Sequence, residues 1–287
     1  MKQNDQFGPW SIEYIPADGA RISRLTYEKI DLLTAKPQNF TAPQKDYGLY
    51  ETRPVYGYDD CFPSVDACDF PDIEWRIPDH GELCWLPWKV KKTTNGLAFE
   101  VTSQNLTIQF KRRISFADDQ LVWSFAVENR GSQKIPFQHV MHPLLPLKNI
   151  TDICLPQFGS VFDDIQQKTM PYHSPEAVRE FLLSRPARTT NMLFLQNIKE
   201  GRMSWEYGRK LGIEASFSKE LFPTIGIWWN NNQYPDEQNC RRNECALEPT
   251  PGLNSTLLDA FRDRKHLEVL PGEIFGWQIT WRIHRVT

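Results

Sequence analysis

The chain has 287 residues, of which 40% are hydrophobic and 24% are charged, and its formal net charge is −3. This length suits one large β domain or two smaller ones, and the composition is typical of a soluble globular protein. There is no long basic run, which argues against nucleic acid as the main partner, because phosphate binding needs clustered Lys and Arg. No apolar run approaches the ~20 residues that span a bilayer, so we expect no membrane partner.

In the first part of the chain, alternating residues predict a strand and its return strand, and two irregular loops follow. The strands are Trp10–Ile15 and Arg21–Tyr27. The loops cover 58–68 and 77–88, where aromatics, prolines and acids mix without periodicity. Such loops are suited to presenting side chains rather than to packing.

The middle of the chain has the clearest pattern. Strands separated by good turn sequences predict an antiparallel meander in a sandwich. These strands are Leu97–Thr102, Leu106–Ser115, Leu121–Val127 and Lys134–His142.

The second half predicts one short helix and further strands. Ser174 is a good N-cap, Pro175 suits the first helical position, and the helix is expected over 174–183. Strands are expected at Asn191–Gln196, Met203–Tyr207, Leu211–Phe217 and Phe275–His284. With no linker or low-complexity segment, we predict an all-β chain forming one domain over 1–287, built as a sandwich of two packed sheets.

The spacing of the cysteines indicates whether a metal site is expected, and the N-terminal sequence indicates the cellular compartment. The cysteines show no Cys-x-x-Cys pair, which gives little support to a zinc site, so no metal is expected. Cys240 and Cys245 are close enough to bridge, but the sequence does not decide it. The polar N-terminus lacks a signal-peptide core, so we expect a cytoplasmic protein with free thiols, although a chain stripped of its signal would look the same.

Glu248 is the carboxylate that we consider as a candidate general base. It follows an apolar, β-branched and aromatic stretch at 223–230, which predicts a buried strand. Pro249, Pro251 and Gly252 are expected to end any strand directly after it. Partial burial would raise the pKa of Glu248 towards the range of a general base. The alternative is a structural glutamate paired with Arg241 or Arg242.

Three histidines are candidates for proton transfer or binding. His142 is expected at a strand end before Pro143, where its imidazole can face a cleft, although a structural histidine is the commoner case. His139, three residues earlier, should face the opposite side of the strand. His80 lies between Asp79 and Glu82, either of which could orient it, and its alternative is a loop histidine bonded to its neighbours.

Aromatic residues make up 13% of the chain, with 10 Trp, 9 Tyr and 17 Phe. Core packing explains most of them, and stacking against a flat apolar ligand face explains others. Trp228 and Trp229 point to opposite faces of their strand, so at most one lines a cleft. Trp229 is our candidate stacking platform, with core packing as its alternative.

Several segments together resemble the galactose mutarotase (aldose 1-epimerase) superfamily. They are the run Leu121-Val-Trp-Ser-Phe-Ala-Val-Glu-Asn-Arg-Gly131 followed by a strand and His142, the His80-Gly81 loop with Trp85, and Leu247-Glu248-Pro249 followed by Leu270-Pro-Gly-Glu273 and an aromatic final strand. They span the chain from about Tyr58 to the end. The resemblance implies a β-supersandwich with a cleft over its concave sheet.

The resemblance also implies roles. Glu248 would remove the proton from the anomeric hydroxyl of a sugar, and His142 would protonate the ring oxygen as the ring opens. His80 would bind a sugar hydroxyl or assist the acid. Rotation and ring closure on the other face would then exchange the α and β anomers, with no cofactor.

The sequence departs from the family in two places. Family members often carry an Asn-Arg pair in the loop before the first histidine, but this chain has Tyr58-Asp-Asp-Cys-Phe-Pro63, so Asp60 is our substitute contact to substrate. An Asp that family enzymes place between the second histidine and the glutamate has no clear match. A phosphorylated sugar would need converging Arg or Lys, for which Arg53 and Arg76 are the nearest residues.

The predicted function is therefore an aldose 1-epimerase-like isomerase acting on a small-molecule sugar. The alternative is a non-catalytic carbohydrate-binding protein on the same fold, motivated by the missing Asn-Arg pair and the aromatic content. A lyase or hydrolase is a weaker third alternative, because the sequence identifies no pair of carboxylates for hydrolysis. The sugar stays unidentified, and a homodimer stays open.

Overall fold

The computed structural model describes residues 1–208 and 210–286, and strands dominate these ranges. In chain order the strands are β1 (Gln3–Phe7), β2 (Trp10–Ile15), β3 (Arg21–Tyr27), β4 (Ile30–Asp31), β5 (Tyr58–Cys61), β6 (Cys68–Asp69), β7 (Arg76–Ile77), β8 (Lys89–Thr93), β9 (Gly96–Thr102), β10 (Ile108–Phe116), β11 (Gln120–Asn129), β12 (Ile135–Phe137), β13 (Val140–Pro143), β14 (Ile150–Cys154), β15 (Ser160–Asp163), β16 (Lys168–Met170), β17 (Thr189–Gln196), β18 (Arg202–Tyr207), β19 (Leu211–Phe217), β20 (Thr224–Asn231), β21 (Asn243–Thr250), β22 (Leu267–Val269) and β23 (Ile274–Arg285). The helices are α1 (Pro175–Leu183) and α2 (Leu257–Arg262). Neither helix has the length and apolar character that a bilayer crossing requires.

One layer is an eight-stranded antiparallel sheet with the order β14-β18-β19-β23-β11-β10-β9-β8. It contains the first three strands of the predicted meander, now β9 to β11, with β8 beside β9 and the aromatic final strand β23 beside β11. The fourth predicted strand lies outside this sheet. Along β11 buried and half-buried residues alternate at every position, as expected of a strand with one face on the core. The predicted all-β sandwich is confirmed.

The opposite layer consists of two antiparallel sheets that meet edge to edge. Their orders are β1-β2-β3-β5-β13 and β16-β15-β17-β20-β21. Reciprocal backbone hydrogen bonds of 2.8 and 3.0 Å between Leu145 and Cys245 join them just beyond β13. The strands that carry His142 and Glu248, β13 and β21, are therefore neighbours.

Between the layers lies a cluster of buried apolar side chains drawn from the whole chain. Its largest members are fully buried tryptophans, namely Trp10, Trp123, Trp205 and Trp281. Most of the aromatic content thus serves the core. The single domain over 1–287 remains a prediction.

Two local predictions need correction, and one helix was missed. The expected strand over 134–142 is two strands, β12 and β13, because the backbone turns away at Gln138, whose N–H donates to Pro63 instead. Pro249 does not end its strand, since β21 runs through it to Thr250 at the edge of its five-stranded sheet, where a proline is tolerated. The second helix, α2, was not predicted, although Thr256 caps it by accepting from the N–H of Asp259.

Candidate active site

A cavity of about 480 Å³ opens on the side of β13, β17, β20 and β21 that faces away from the core. The strands supply its floor, and the loops before β5, around residue 80 and between β20 and β21 form its walls. The strand residues that line it are His142, Thr190, Met192, Trp228, Glu244 and Glu248. A volume of this size suits a small organic ligand.

His142 and Glu248 meet on this floor. The Nε2 atom of His142 lies 3.9 Å from Oε1 of Glu248, and both side chains are about nine-tenths buried. This Oε1 has no hydrogen-bond partner among the residues that the structure describes, and neither has Nδ1 of His142. The two groups are therefore close together and still free to bond to a ligand.

Burial favours the neutral form of each group. It raises the pKa of Glu248 to about 8. Burial, followed by the charges of His80 and Arg242, lowers the pKa of His142 well below its usual value. Near neutral pH the pair therefore holds one exchangeable proton, and passing it from Glu248 to His142 gives the carboxylate and imidazolium form.

His80 lies beside this pair. Its ring stacks on Tyr50 with centroids 3.6 Å apart, and it is 5.1 Å from the ring of His142. Nδ1 of His80 lies 2.8 Å from Oδ1 of Asp79, while the Tyr50 hydroxyl donates to Asp59 at 2.6 Å. The loop histidine is thus held by its neighbour Asp79, and its other ring nitrogen, Nε2, makes no hydrogen bond to any residue that the structure describes.

The arginine alternative for Glu248 is wrong. Arg242 pairs with Glu51 and with Glu244, whose Oε1 accepts from its Nε at 2.7 Å. Arg241 lies 3.6 Å from Asp236 on the loop. Glu248 therefore lacks an arginine partner within the described ranges.

The prediction that Asp60 contacts substrate is wrong. Asp60 is fully buried between the two layers and forms an ion pair with Arg112 of β10. Its Oδ1 also accepts from the Tyr58 hydroxyl at 2.6 Å and lies 3.0 Å from Nε2 of His139. Strand alternation explains this: Asp60 pairs with Met141, while Asp59 pairs with His142 and shares its face. His139 is buried in the core, facing away from the cavity, as expected.

The prediction that Trp229 is a stacking platform is also wrong. Trp229 is 3% exposed and packs in the core, opposite Cys245, while Trp228 lines the cavity. Trp228 pairs with Ala246, two residues before Glu248, so both lie on one face. Which tryptophan faces the cavity depends on the register between β20 and β21, which strand alternation within β20 alone does not give.

Other cavity residues were missed because they come from distant loops. Asp164, in the turn between β15 and β16, lines the cavity, and burial raises its pKa. It lies between His142 and Glu248 in the chain, where no match to the family's Asp was found. Arg53 and Arg76, considered for phosphate, pair with Asp18 and Asp59 and with Asp69, respectively.

Comparison with known proteins supports the fold. No family model and no curated protein matches the sequence. Among solved structures, a candidate aldose 1-epimerase from Escherichia coli K12 superposes with a TM-score of 0.74 at 14% identity, covering 99% of each chain. A galactose mutarotase related enzyme from Lactobacillus acidophilus superposes with 0.66 at 15% identity over 100% and 98% of the two chains.

A third example is a galactose mutarotase-like protein from Clostridium acetobutylicum, with a TM-score of 0.68 at 16% identity over 98% of this chain and 94% of that one. These identities are too low to transfer an activity. The superpositions do establish the architecture over the full length of the chain. The chain adopts the galactose mutarotase-like fold.

Proposed function

We propose that the chain is an aldose 1-epimerase-like isomerase, with Glu248 as base and His142 as acid. The observation that carries this proposal is the 3.9 Å separation of two unpaired proton-transfer groups at one cavity. In a cyclic sugar the anomeric hydroxyl and the ring oxygen share one carbon. A base and an acid that act on them must therefore lie side by side.

The reaction needs two proton transfers in each direction. Glu248 takes the proton of the anomeric hydroxyl, the bond from the anomeric carbon to the ring oxygen breaks, and His142 protonates that oxygen. After rotation about the first carbon–carbon bond, His142 takes the proton back as the ring closes, and Glu248 returns its own. Each transfer contributes about 10²–10⁴-fold to the rate.

The neighbouring side chains supply binding. His80, fixed by Asp79 and Tyr50, is placed to bond a sugar hydroxyl through its free Nε2. The Trp228 ring lines the cavity and offers an apolar surface for one face of the sugar. Asp164 provides a further hydroxyl acceptor.

The charge of the cavity favours an unphosphorylated sugar. Arg242 is the arginine that lines the cavity in the described part of the chain, and Glu51 and Glu244 already neutralise it. Phosphate recognition needs converging cations that are free to bond. The cytoplasmic location and the homodimer remain predictions.

Polarimetry of freshly dissolved α-glucose and α-galactose tests the proposal. We expect the protein to accelerate anomer exchange, and Glu248→Gln and His142→Gln to slow it by about 10²–10⁴-fold. Glu220→Gln and His173→Gln, at exposed positions, are matched controls that should keep the rate. No acceleration with any common aldose, or an unchanged rate in Glu248→Gln, would contradict the proposal.

The non-catalytic alternative is favoured by one observation, the burial that holds both groups neutral. Calorimetry separates the two functions. Binding of a sugar without faster anomer exchange would support the carbohydrate-binding function instead.

A further inference from the structure

A thiol lies beside the two imidazoles of the cavity, and the proposed sugar chemistry does not use it. Cys61, on β5, is 1% exposed. Its side chain lies on the same face of the strand as that of Asp59, which pairs with His142 on β13. The ligand atoms of Cys61, His80 and His142 lie within 4.8 Å of one another. These residues are far apart in sequence, which is why cysteine spacing predicted no metal.

We propose that Cys61, His80 and His142 form a binding site for a thiophilic divalent cation such as Zn²⁺. A thiolate with two imidazoles is a donor set that suits Zn²⁺ and disfavours Mg²⁺ and Ca²⁺, which take oxygen ligands. Water would complete the coordination at the fourth position.

The surroundings are already arranged as they are around bound zinc. Nδ1 of His80 lies 2.8 Å from Oδ1 of Asp79, the carboxylate–histidine arrangement that orients a ligating imidazole and raises its basicity. Nδ1 of His142 is buried without a hydrogen-bond partner among the described residues, as is Oε1 of Glu248. Buried polar atoms without partners are costly, and a cation beside them would remove that cost.

Binding exchanges a proton for the cation. The Cys61 S–H bond breaks, a sulfur–metal bond forms, and the proton leaves to solvent, with no change of oxidation state. Nδ1 of His142, which has no hydrogen-bond partner among the described residues, can donate its lone pair to the cation.

Occupancy has a consequence for the proposed function, on which this step rests. A metal-bound His142 has no free lone pair and cannot carry a proton to a ring oxygen. Zn²⁺ at this site therefore inhibits anomer exchange and acts as a regulator of the same cavity.

Cobalt substitution tests the site without relying on activity. Titration of the reduced, metal-free protein with Co²⁺ should give one equivalent with tetrahedral visible bands and a thiolate-to-cobalt charge-transfer band in the near ultraviolet. Cys61→Ser should abolish the charge-transfer band. Cys84→Ser, at an equally buried thiol, and Cys154→Ser, at an exposed one, should retain it. Retention of the band in Cys61→Ser would overturn the proposal.

Zn²⁺ affinity by calorimetry gives a second readout if Cys61→Ser fails to fold. Asp79→Asn should weaken Zn²⁺ binding by about 10–100-fold, and His80→Gln by at least as much. Unchanged affinity in both variants, or no Zn²⁺ binding to the unmodified protein, would overturn the site.

Activity then separates this proposal from the proposed function. A cobalt spectrum on loading, together with no anomer exchange by the metal-free protein, would leave the metal site standing and contradict the epimerase. Anomer exchange that Zn²⁺ does not slow at saturation would overturn the inhibitory role.

Discussion

Two pairs of a carboxylate with a histidine lie on opposite faces of the same layer, and only one of them is suited to chemistry. Asp60 is satisfied by Arg112, His139 and a tyrosine hydroxyl. Burial acts to raise its pKa, but the charge of Arg112 and these hydrogen bonds hold that pKa below its usual value. Glu248 is buried without such partners, and its pKa is about 8.

The difference teaches that residue type does not identify a site. A carboxylate whose lone pairs are all used inside the core cannot bind a ligand, however close it lies in sequence to a functional residue. The unpaired carboxylate beside His142 retains lone pairs for a sugar.

The largest effect on stability is expected from removing the negative charge of the buried Asp60–Arg112 ion pair. Asp60→Asn leaves the Arg112 guanidinium buried without its counter-charge, so the free energy of unfolding should fall by about 3–5 kcal/mol. Urea unfolding measures it, with the exposed Glu74→Gln as control. Sugar affinity of the folded variant should not change, and a stability loss below about 1 kcal/mol would contradict the assignment of Asp60 to the core.

A smaller and opposite effect is expected at Glu248. Its folded pKa of about 8 lies above its ordinary value of 4.5, so the folded chain binds more protons than the unfolded chain between these values. The free energy of unfolding therefore falls as pH rises through this window. Glu248→Gln lacks this loss and should exceed the unmodified protein by about 2–4 kcal/mol more at pH 9 than at pH 4.5.

Urea unfolding at several pH values between 4.5 and 9 measures this difference. Glu74→Gln, at an exposed position, should follow the unmodified protein throughout. A difference between Glu248→Gln and the unmodified protein that is constant with pH would show that the carboxyl is not shifted.

The smallest expected effect is on sugar affinity, and it distinguishes Trp228 from Trp229. Trp228→Leu removes the cavity ring and should weaken sugar binding by about 1 kcal/mol, or roughly five- to tenfold. Trp229→Leu is the matched core substitution and should lower stability while leaving sugar affinity unchanged. Calorimetric titration with a sugar and thermal unfolding of both variants measure the two effects. The reverse pattern would contradict the assignment of faces.

Much of the fold could be predicted from local patterns. Alternation located the meander, and Ser174 with Pro175 located α1, because these signals act within a few residues. Glu248, His142 and His80 could be named, but their meeting depends on the junction of two sheets at Leu145 and Cys245.

The wrong predictions concern residues whose positions depend on distant parts of the chain. Pro249 stays within its strand only because β21 lies at a sheet edge, which a single sequence does not reveal. Asp60 was chosen by its place in a motif, whereas its partner Arg112 lies on the opposite layer. Arg242 lines the cavity from a loop far from the one where an arginine was sought.

The protonation of Glu248 tests the central claim most directly. The infrared difference spectrum between the unmodified protein and Glu248→Gln reports the carboxyl stretch of this one residue as pH is raised. We expect a protonated carboxyl band at pH 6 that disappears with a midpoint near pH 8. A carboxylate already ionised at pH 6 would contradict the account, because it would mean that Glu248 has a charged partner or is open to water.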